Sequence, residues 1–306
     1  MTCLANNLLA TLSSSQQSAI TLALTEANAT QYWSNLPTGF STRKGISISA
    51  MSSTQAAAAE TLLDAALSDA GEETMDQLRL ADEYLSNNGG GSTYGGDLYY
   101  VSFLGTPSET SPWILELTGH HYTFLYSING SSGLSLTPNF VGVEPVSFTS
   151  GGTSYTPMAS EHDALKAVMD SLSSAQLSTA QLTSAVSDLV VGPQNDGNFP
   201  TTREGVLVSS LSSSQQALVK AAIEAYAGDA ESTGQYDDYV TTAALADTYI
   251  AWSNYSDLAT RGSYIRIDGP RVWIEFSVQS GVIFSANHYH SIWRDKTLDY
   301  GGNFTF

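Results

Sequence analysis

The segment NHYH, residues 287–290, sets His288 and His290 one residue apart, and Arg294, Asp295 and Asp299 follow within nine residues of His290. The other three of the five histidines are His120 and His121 in TGHHYTF and His162 in SEHDAL. Side chains at i and i+2 of a strand share one face, so His288 and His290 can hold one ion together. His120 and His121 are neighbours and point to opposite faces unless the backbone kinks at Gly119. Two imidazoles from one strand and one or two from the other segment make a three- or four-nitrogen site suited to zinc, copper or iron. Glu144 in NFVGVEP, or Glu116 two pleats before His120, is then a further ligand or a general base. Arg294 can clamp a substrate carboxylate with both arms of its guanidinium, or pair internally with Asp295 or Asp299. Asp299 can also orient a ligating imidazole by accepting its second N–H. The competing reading makes the histidines hydrogen-bonded structural residues in a polar seam. His162 belongs to neither motif and is expected on the surface at a helix start.

Other chemistries find no support. NNGGGSTYGGD, residues 87–97, follows a helix rather than a strand and lacks Gly-Lys-Ser/Thr, so it reads as a flexible connector and not a phosphate loop. NGSSG has the wrong spacing for a nucleophile elbow and reads as a hairpin turn. Cys3 is the single cysteine, which excludes an internal disulfide.

Thirty acidic residues face 11 lysines and arginines, giving a net charge of −19. A field of that sign repels phosphate backbones and anionic lipid, which argues against nucleic-acid or membrane-surface partners and leaves a small-molecule substrate. No apolar run approaches the roughly 18 residues of a membrane span, and the N-terminus lacks the basic start and apolar run of a signal peptide. The chain is expected to be soluble. Its Ser/Thr-rich, Lys-poor surface suits a secreted protein whose leader has been removed.

The elements that position these residues are legible in a recurring phrase. LSSSQQ at 12–17, MSSTQ at 51–55, LSSAQ at 172–176 and LSSSQQ at 211–216 each carry Ser-x-x-Gln behind an apolar residue. This is the capping box of a helix N-terminus, and helical spacing follows, as in Leu218, Ala222, Ile223 and Tyr226. Between these blocks the period changes to two: DLYYVSFLG, PWILELTG, HHYTFLYSI and LSLTPNFVGVEPVSF predict an antiparallel meander over 97–148. Helices at 212–227 and 236–258 then precede SYIRIDGP, RVWIEFSVQ and GVIFSANHYHSIW. The phrase YVSFLGTP aligns with YIRIDGP, and PWILEL with RVWIEF, which sets Trp113 against Trp273.

The fold class is therefore α+β, with internally duplicated units of helices followed by antiparallel sheet packed as one pseudo-symmetric globule. Residues 1–150 form the N-terminal unit carrying GHH, 151–200 a helical connector, and 201–306 the C-terminal repeat carrying HYH and RD-DYGG. The histidine site is expected where the two sheet ends meet.

The order YWSNLP, TRKGISISAMSSTQ, FLGTPSETSPW, TGHHYTF, LTPNFVGVEP, GVLVSSLSSSQQ, YIRIDGPRVWIEF and NHYHSIWRDKTLDYGG resembles the family called domain of unknown function 3500, over residues 12 to 302. Its most specific parts match at Gly119, His120, His121, His288, His290, Arg294, Asp295, Asp299, Tyr300 and Gly301. The chain departs from the pattern near Leu125, where the family favours Asn, and at Lys296, where it favours Pro. The resemblance implies an architecture and supplies no activity. The expected function is a metal-dependent enzyme with His120, His121, His288 and His290 as ligands and Glu144, Arg294 and Asp299 in catalytic roles, acting on a small or anionic organic substrate. Copper or iron redox chemistry is favoured over zinc hydrolysis, and the alternative from another class is a non-catalytic binding protein with structural histidines.

Overall fold

The computed structural model describes residues 1–231 and 233–306. Helices and strands are mixed, in keeping with an α+β class. The chain divides into two compact units: Met1–Phe140 with the returning segments Asp229–Thr233 and Thr297–Thr305, and Val141–Gly228 with Gly234–Lys296 and Phe306. This differs from the division read from the sequence, because the expected connector belongs to the second unit and DYGG folds back into the first.

In the first unit, α1 (Thr2–Thr11), α2 (Ser14–Ile20), β1 (Thr21–Leu22), α3 (Glu26–Thr30), β2 (Ile46–Ser47), α4 (Ser53–Asp64) and α5 (Asp69–Leu85) lead into β3 (Tyr100–Leu104), β4 (Pro112–Thr118), β5 (Tyr122–Asn129) and β6 (Ser132–Ser135). Ser13 and Ser52 form complete capping boxes with Gln16 and Gln55. The two capping glutamines also bond to each other, with Gln55 Nε2 3.2 Å from Gln16 Oε1, and Gln55 Nε2 donates to the Thr11 carbonyl at 3.0 Å. One residue type thus starts two helices and ties them together. On α5 the buried stripe is Gly71, Met75, Leu78, Asp82 and Leu85, a helical spacing with one acid on its apolar face. Strand β3 pairs with β1 in parallel and with β2 and β4 antiparallel, β4 pairs with β5, and β5 with β6. Every residue from Trp113 to Thr118 is buried, so β4 is covered on both faces.

The chain leaves the first unit along β7 (Asn139–Val143). The second unit then contains β8 (Phe148–Ser150), β9 (Thr153–Tyr155), α6 (Ala159–Ser171), α7 (Ser174–Ala180), β10 (Val206–Leu207), α8 (Ser213–Ala227), α9 (Gln235–Tyr239), α10 (Thr242–Leu245), β11 (Tyr249–Ser253), β12 (Tyr264–Asp268), β13 (Val272–Ser280) and β14 (Asn287–Asp295). Strands β10 to β14 pair antiparallel in chain order. Ser173 and Ser212 complete capping boxes with Gln176 and Gln215; Gln215 Nε2 lies 2.9 Å from Gln176 Oε1 and donates to the Ser171 carbonyl at 2.8 Å.

Two expectations differ from the structure. The helix expected over 236–258 is two short turns followed by a strand. Thr241 caps α10, and beyond it the β-branched and aromatic run of β11 pairs with β12, so sheet hydrogen bonds prevail over the helix propensity of the alanines. The phrase alignment that set Trp113 against Trp273 also meets a different strand order. A Cβ at Gly45 would lie 2.2 Å from the Val101 carbonyl oxygen, and one at Gly205 would lie 2.2 Å from that of Ile250. These glycines precede β2 and β10, which pair with β3 and β11. Trp113 lies on β4, the strand after β3, whereas Trp273 lies on β13, two strands after β11. Short strand phrases with a Gly turn recur in any hairpin, so they fix register poorly.

Candidate metal centre

The GHH motif is the turn between β4 and β5. Gly119 N–H donates to the Tyr122 carbonyl at 3.0 Å, and the kink lies at His121, whose φ is +64°, rather than at Gly119. A left-handed residue inside a tight turn removes the strand alternation that would have sent the two rings apart. The imidazoles stack, with centroids 3.5 Å apart at an interplanar angle of 30°. Gly119 is required by packing: a Cβ there would sit 2.4 Å from the Tyr99 ring.

The turn is held from three sides. Asp82, on the apolar stripe of α5, brings Oδ1 to 2.6 Å from His120 Nδ1. The Tyr99 hydroxyl lies 2.6 Å from the His120 carbonyl oxygen and 2.9 Å from Asp82 Oδ2, and its one proton serves one of them at a time. Arg43 Nη2 donates to the Gly119 carbonyl at 3.1 Å. Burial raises the Asp82 carboxyl above its ordinary range, while His120 and the Tyr99 hydroxyl favour the charged form. Asp82, His120 and His121 are all buried, and each offers a ligand atom within 4.8 Å of the others.

His288 and His290 lie in the second unit on β14, opposite Gln279 and Ser277 of β13. The period of two puts their rings on one face, with centroids 4.5 Å apart and nearly perpendicular, and both are buried. Tyr289 faces the other way and stacks on His162 at 5.3 Å. His290 Nδ1 lies 3.0 and 3.1 Å from the two carboxylate oxygens of Asp188. Glu144 Oε2 approaches His288 Nδ1 to 3.9 Å, beyond hydrogen-bond range, while its Oε1 accepts from the N–H groups of Ile283 and Phe284 at 2.6 and 2.7 Å. Glu144 is therefore also the anchor of the β13–β14 hairpin tip.

The remaining candidates are placed as follows. Arg294 is fully buried, pairs with Asp196 at 2.8 Å and donates to the carbonyls of Val191 and Gly192. Asp295 pairs with Arg271 at 2.6 Å and accepts from the Tyr239 hydroxyl at 2.8 Å. Asp299 opens a short 3-10 turn, Asp299–Gly302, in the first unit. Glu116 is buried on β4, accepts from the Ser102 hydroxyl at 2.6 Å, and burial lifts its carboxyl to about 7. His162 lies in the first turn of α6 and is half-buried rather than exposed; it faces Asp163 at 2.8 Å and lies 3.1 Å from the Leu258 carbonyl oxygen.

Sequence reasoning missed Asp82, Asp188, Tyr99 and Arg43. Asp82 carried a readable signal, a single acid in the apolar stripe of an amphipathic helix. Asp188 sits in an irregular segment with no pattern to mark it. No helix among the described residues is long and apolar enough to cross a membrane. The sequence model of the family described as "Protein of unknown function (DUF3500)" matches residues 1–302. No curated protein and no solved structure shows a significant match.

Proposed function

We propose that this chain, which belongs to the DUF3500 family of proteins of unknown function, binds a divalent transition metal through its buried histidines and uses it in catalysis on a small anionic organic molecule. The observation that carries the reading is the buried group of Asp82, His120 and His121. A carboxylate at Nδ1 fixes the ring of His120 and directs Nε2 at an ion, the arrangement that metal-binding histidines usually have. His290 has the same kind of partner in Asp188. The donors are imidazole nitrogens with a carboxylate oxygen and no thiolate, a set that suits zinc, copper or iron. When bound, the metal supplies Lewis acidity or one-electron chemistry. Redox chemistry with copper or iron is the favoured form and zinc-dependent hydrolysis the alternative. Glu144, with Oε2 3.9 Å from His288 Nδ1, is our candidate general base. The bonding of Arg294 supports a loop-anchoring role, which leaves the recognition of substrate charge to another cation.

We also propose that the two units are diverged copies of one ancestor. The support is the matching pair of glutamine-linked capping boxes, with Gln16 and Gln55 separated by 39 residues and Gln176 and Gln215 by the same 39.

A second reading has its own support. The 2.6 Å contact between His120 and Asp82 satisfies both groups without an ion, as a structural pair would. Elemental analysis of untagged protein separates the two. The metal reading expects stoichiometric Cu, Zn or Fe, lost in His121→Asn, which tolerates the left-handed turn, and in His290→Ala, but retained in His162→Ala. Asp82→Asn is expected to weaken metal binding by about 10- to 100-fold. Metal-free protein whose melting temperature ignores added Zn, Cu or Fe would leave the structural reading.

A further inference from the structure

We propose that the cleft at Arg43, beside the GHH turn, binds the carboxylate of a small organic anion with a flat apolar body. The first observation is a guanidinium that no carboxylate reaches at ion-pair distance among the described residues, although Glu116 acts on it through space. Arg79, Arg203, Arg266, Arg271 and Arg294 each lie within 3.9 Å of a carboxylate. Arg43, in a chain carrying 30 acids, has only carbonyl partners among the described residues: Ser34 and Leu36 at 2.7 Å, Gly119 at 3.1 Å and Ser41 at 3.2 Å. A guanidinium has five N–H donors. Nη2 is saturated by three of the carbonyls, Nη1 meets one, and Nε meets none. Nε is shut away from solvent, so one Nη1 hydrogen remains without a partner, on a group that is already immobilised. Such preorganisation lowers the entropic cost of binding an anion.

The second observation is the space beside it. A cavity of about 370 Å³ is lined by Thr38, Phe40, Thr42, Arg43 and Tyr100 among others, a volume that suits a small ligand. Phe40 is 73% exposed, an unusual position for a phenyl ring, and forms an apolar wall with a polar strap around it. The ligand class follows from these parts: one negative group for Arg43, a flat body for the ring, and a modest size. Polyanions are disfavoured by the net charge of −19. Arg43 also grips the carbonyl of Gly119, the residue before His120 and His121. The inference supplies the cation that Arg294 does not, and rests on the proposed function only in naming the bound molecule a substrate; the binding itself needs no metal.

The test is saturation-transfer NMR with benzoate, and with benzamide as its neutral counterpart, on metal-stripped protein and again after adding zinc. Benzoate is expected to bind at least 10-fold more tightly than benzamide. Thr42→Asp, at an exposed position, is expected to abolish the preference, and Phe40→Ala to weaken both ligands several-fold. Arg43→Lys, which keeps the charge and loses the planar group that the Ser34, Leu36 and Gly119 carbonyls immobilise, is expected to weaken benzoate by about 10-fold. Equal binding of the two probes, benzoate binding indifferent to Thr42→Asp and Phe40→Ala, or no binding at millimolar benzoate overturns the inference. Benzoate binding by a protein that takes up no metal would leave the cleft standing while the metal reading falls, and metal uptake without benzoate binding would do the reverse.

Discussion

Single residues here do work that depends on what burial does to charge. Glu116 is the clearest case, since burial moves its carboxyl from an ordinary 4.5 to about 7, with Ser102 and Arg43 only partly opposing the shift. The folded protein then holds a proton that the unfolded chain releases between those two values. Stability contributed by this group is therefore greatest in acid, falls as pH rises from about 4.5 to about 7, and is level above that. At about 1.4 kcal/mol per pKa unit the loss is about 3 kcal/mol. Glu116→Gln keeps the shape and cannot ionise. In urea denaturation the variant is expected to gain on the wild type steadily between about pH 5 and about pH 8. A constant difference across that range would mean that Glu116 titrates alike in both states. His121 illustrates a different dependence, because its left-handed backbone costs about 1–3 kcal/mol and is retained only where the surroundings enforce it.

At the scale of elements, the capping boxes both start helices and join them. Each glutamine closes its own box, and Gln55 and Gln215 also donate to the last residues of α1 and α6, so the serine hydroxyl and the glutamine amide act together. Ser52→Ala and Ser212→Ala are each expected to cost about 0.5–2 kcal/mol, read by thermal or chemical unfolding. Loss in one variant and none in the other would argue against equivalent roles in the two units. The helix α5 shows how an element delivers chemistry: its apolar stripe docks the helix, and the one acid in that stripe is thereby carried to His120. The turn at GHH needs Tyr99, Asp82 and Arg43 together, three residues from three segments.

For the whole molecule the dominant feature is charge. A net −19 on a chain of 306 residues is a self-repulsion that compaction concentrates. Raising ionic strength from about 0.01 M to about 0.15 M shortens the screening length from about 30 Å to about 8 Å, so the melting temperature is expected to rise over that range. A fall would show that the ion pairs of Arg79, Arg271 and Arg294 outweigh the repulsion. The same field bears on ligands, since an anion approaching this surface meets repulsion everywhere except at a fixed cation such as Arg43.

What the sequence determined by itself was local. The four helix starts were legible because a capping box is closed within four residues, and the shared face of His288 and His290 because strand period is set by the backbone alone. The tertiary structure decided everything that depends on distant partners. Residues 249–253 became a strand because β12 offered hydrogen bonds that outweigh alanine's helix preference. His120 and His121 came together through the left-handed backbone of His121, in a turn where Tyr99 packs against Gly119. Arg294 met Asp196, 98 residues away, because a folded loop can bring a distant acid to a buried strand residue. Asp82 met His120 across 38 residues for the same reason: spacing along the chain carries no information about which helix face will lie against which turn.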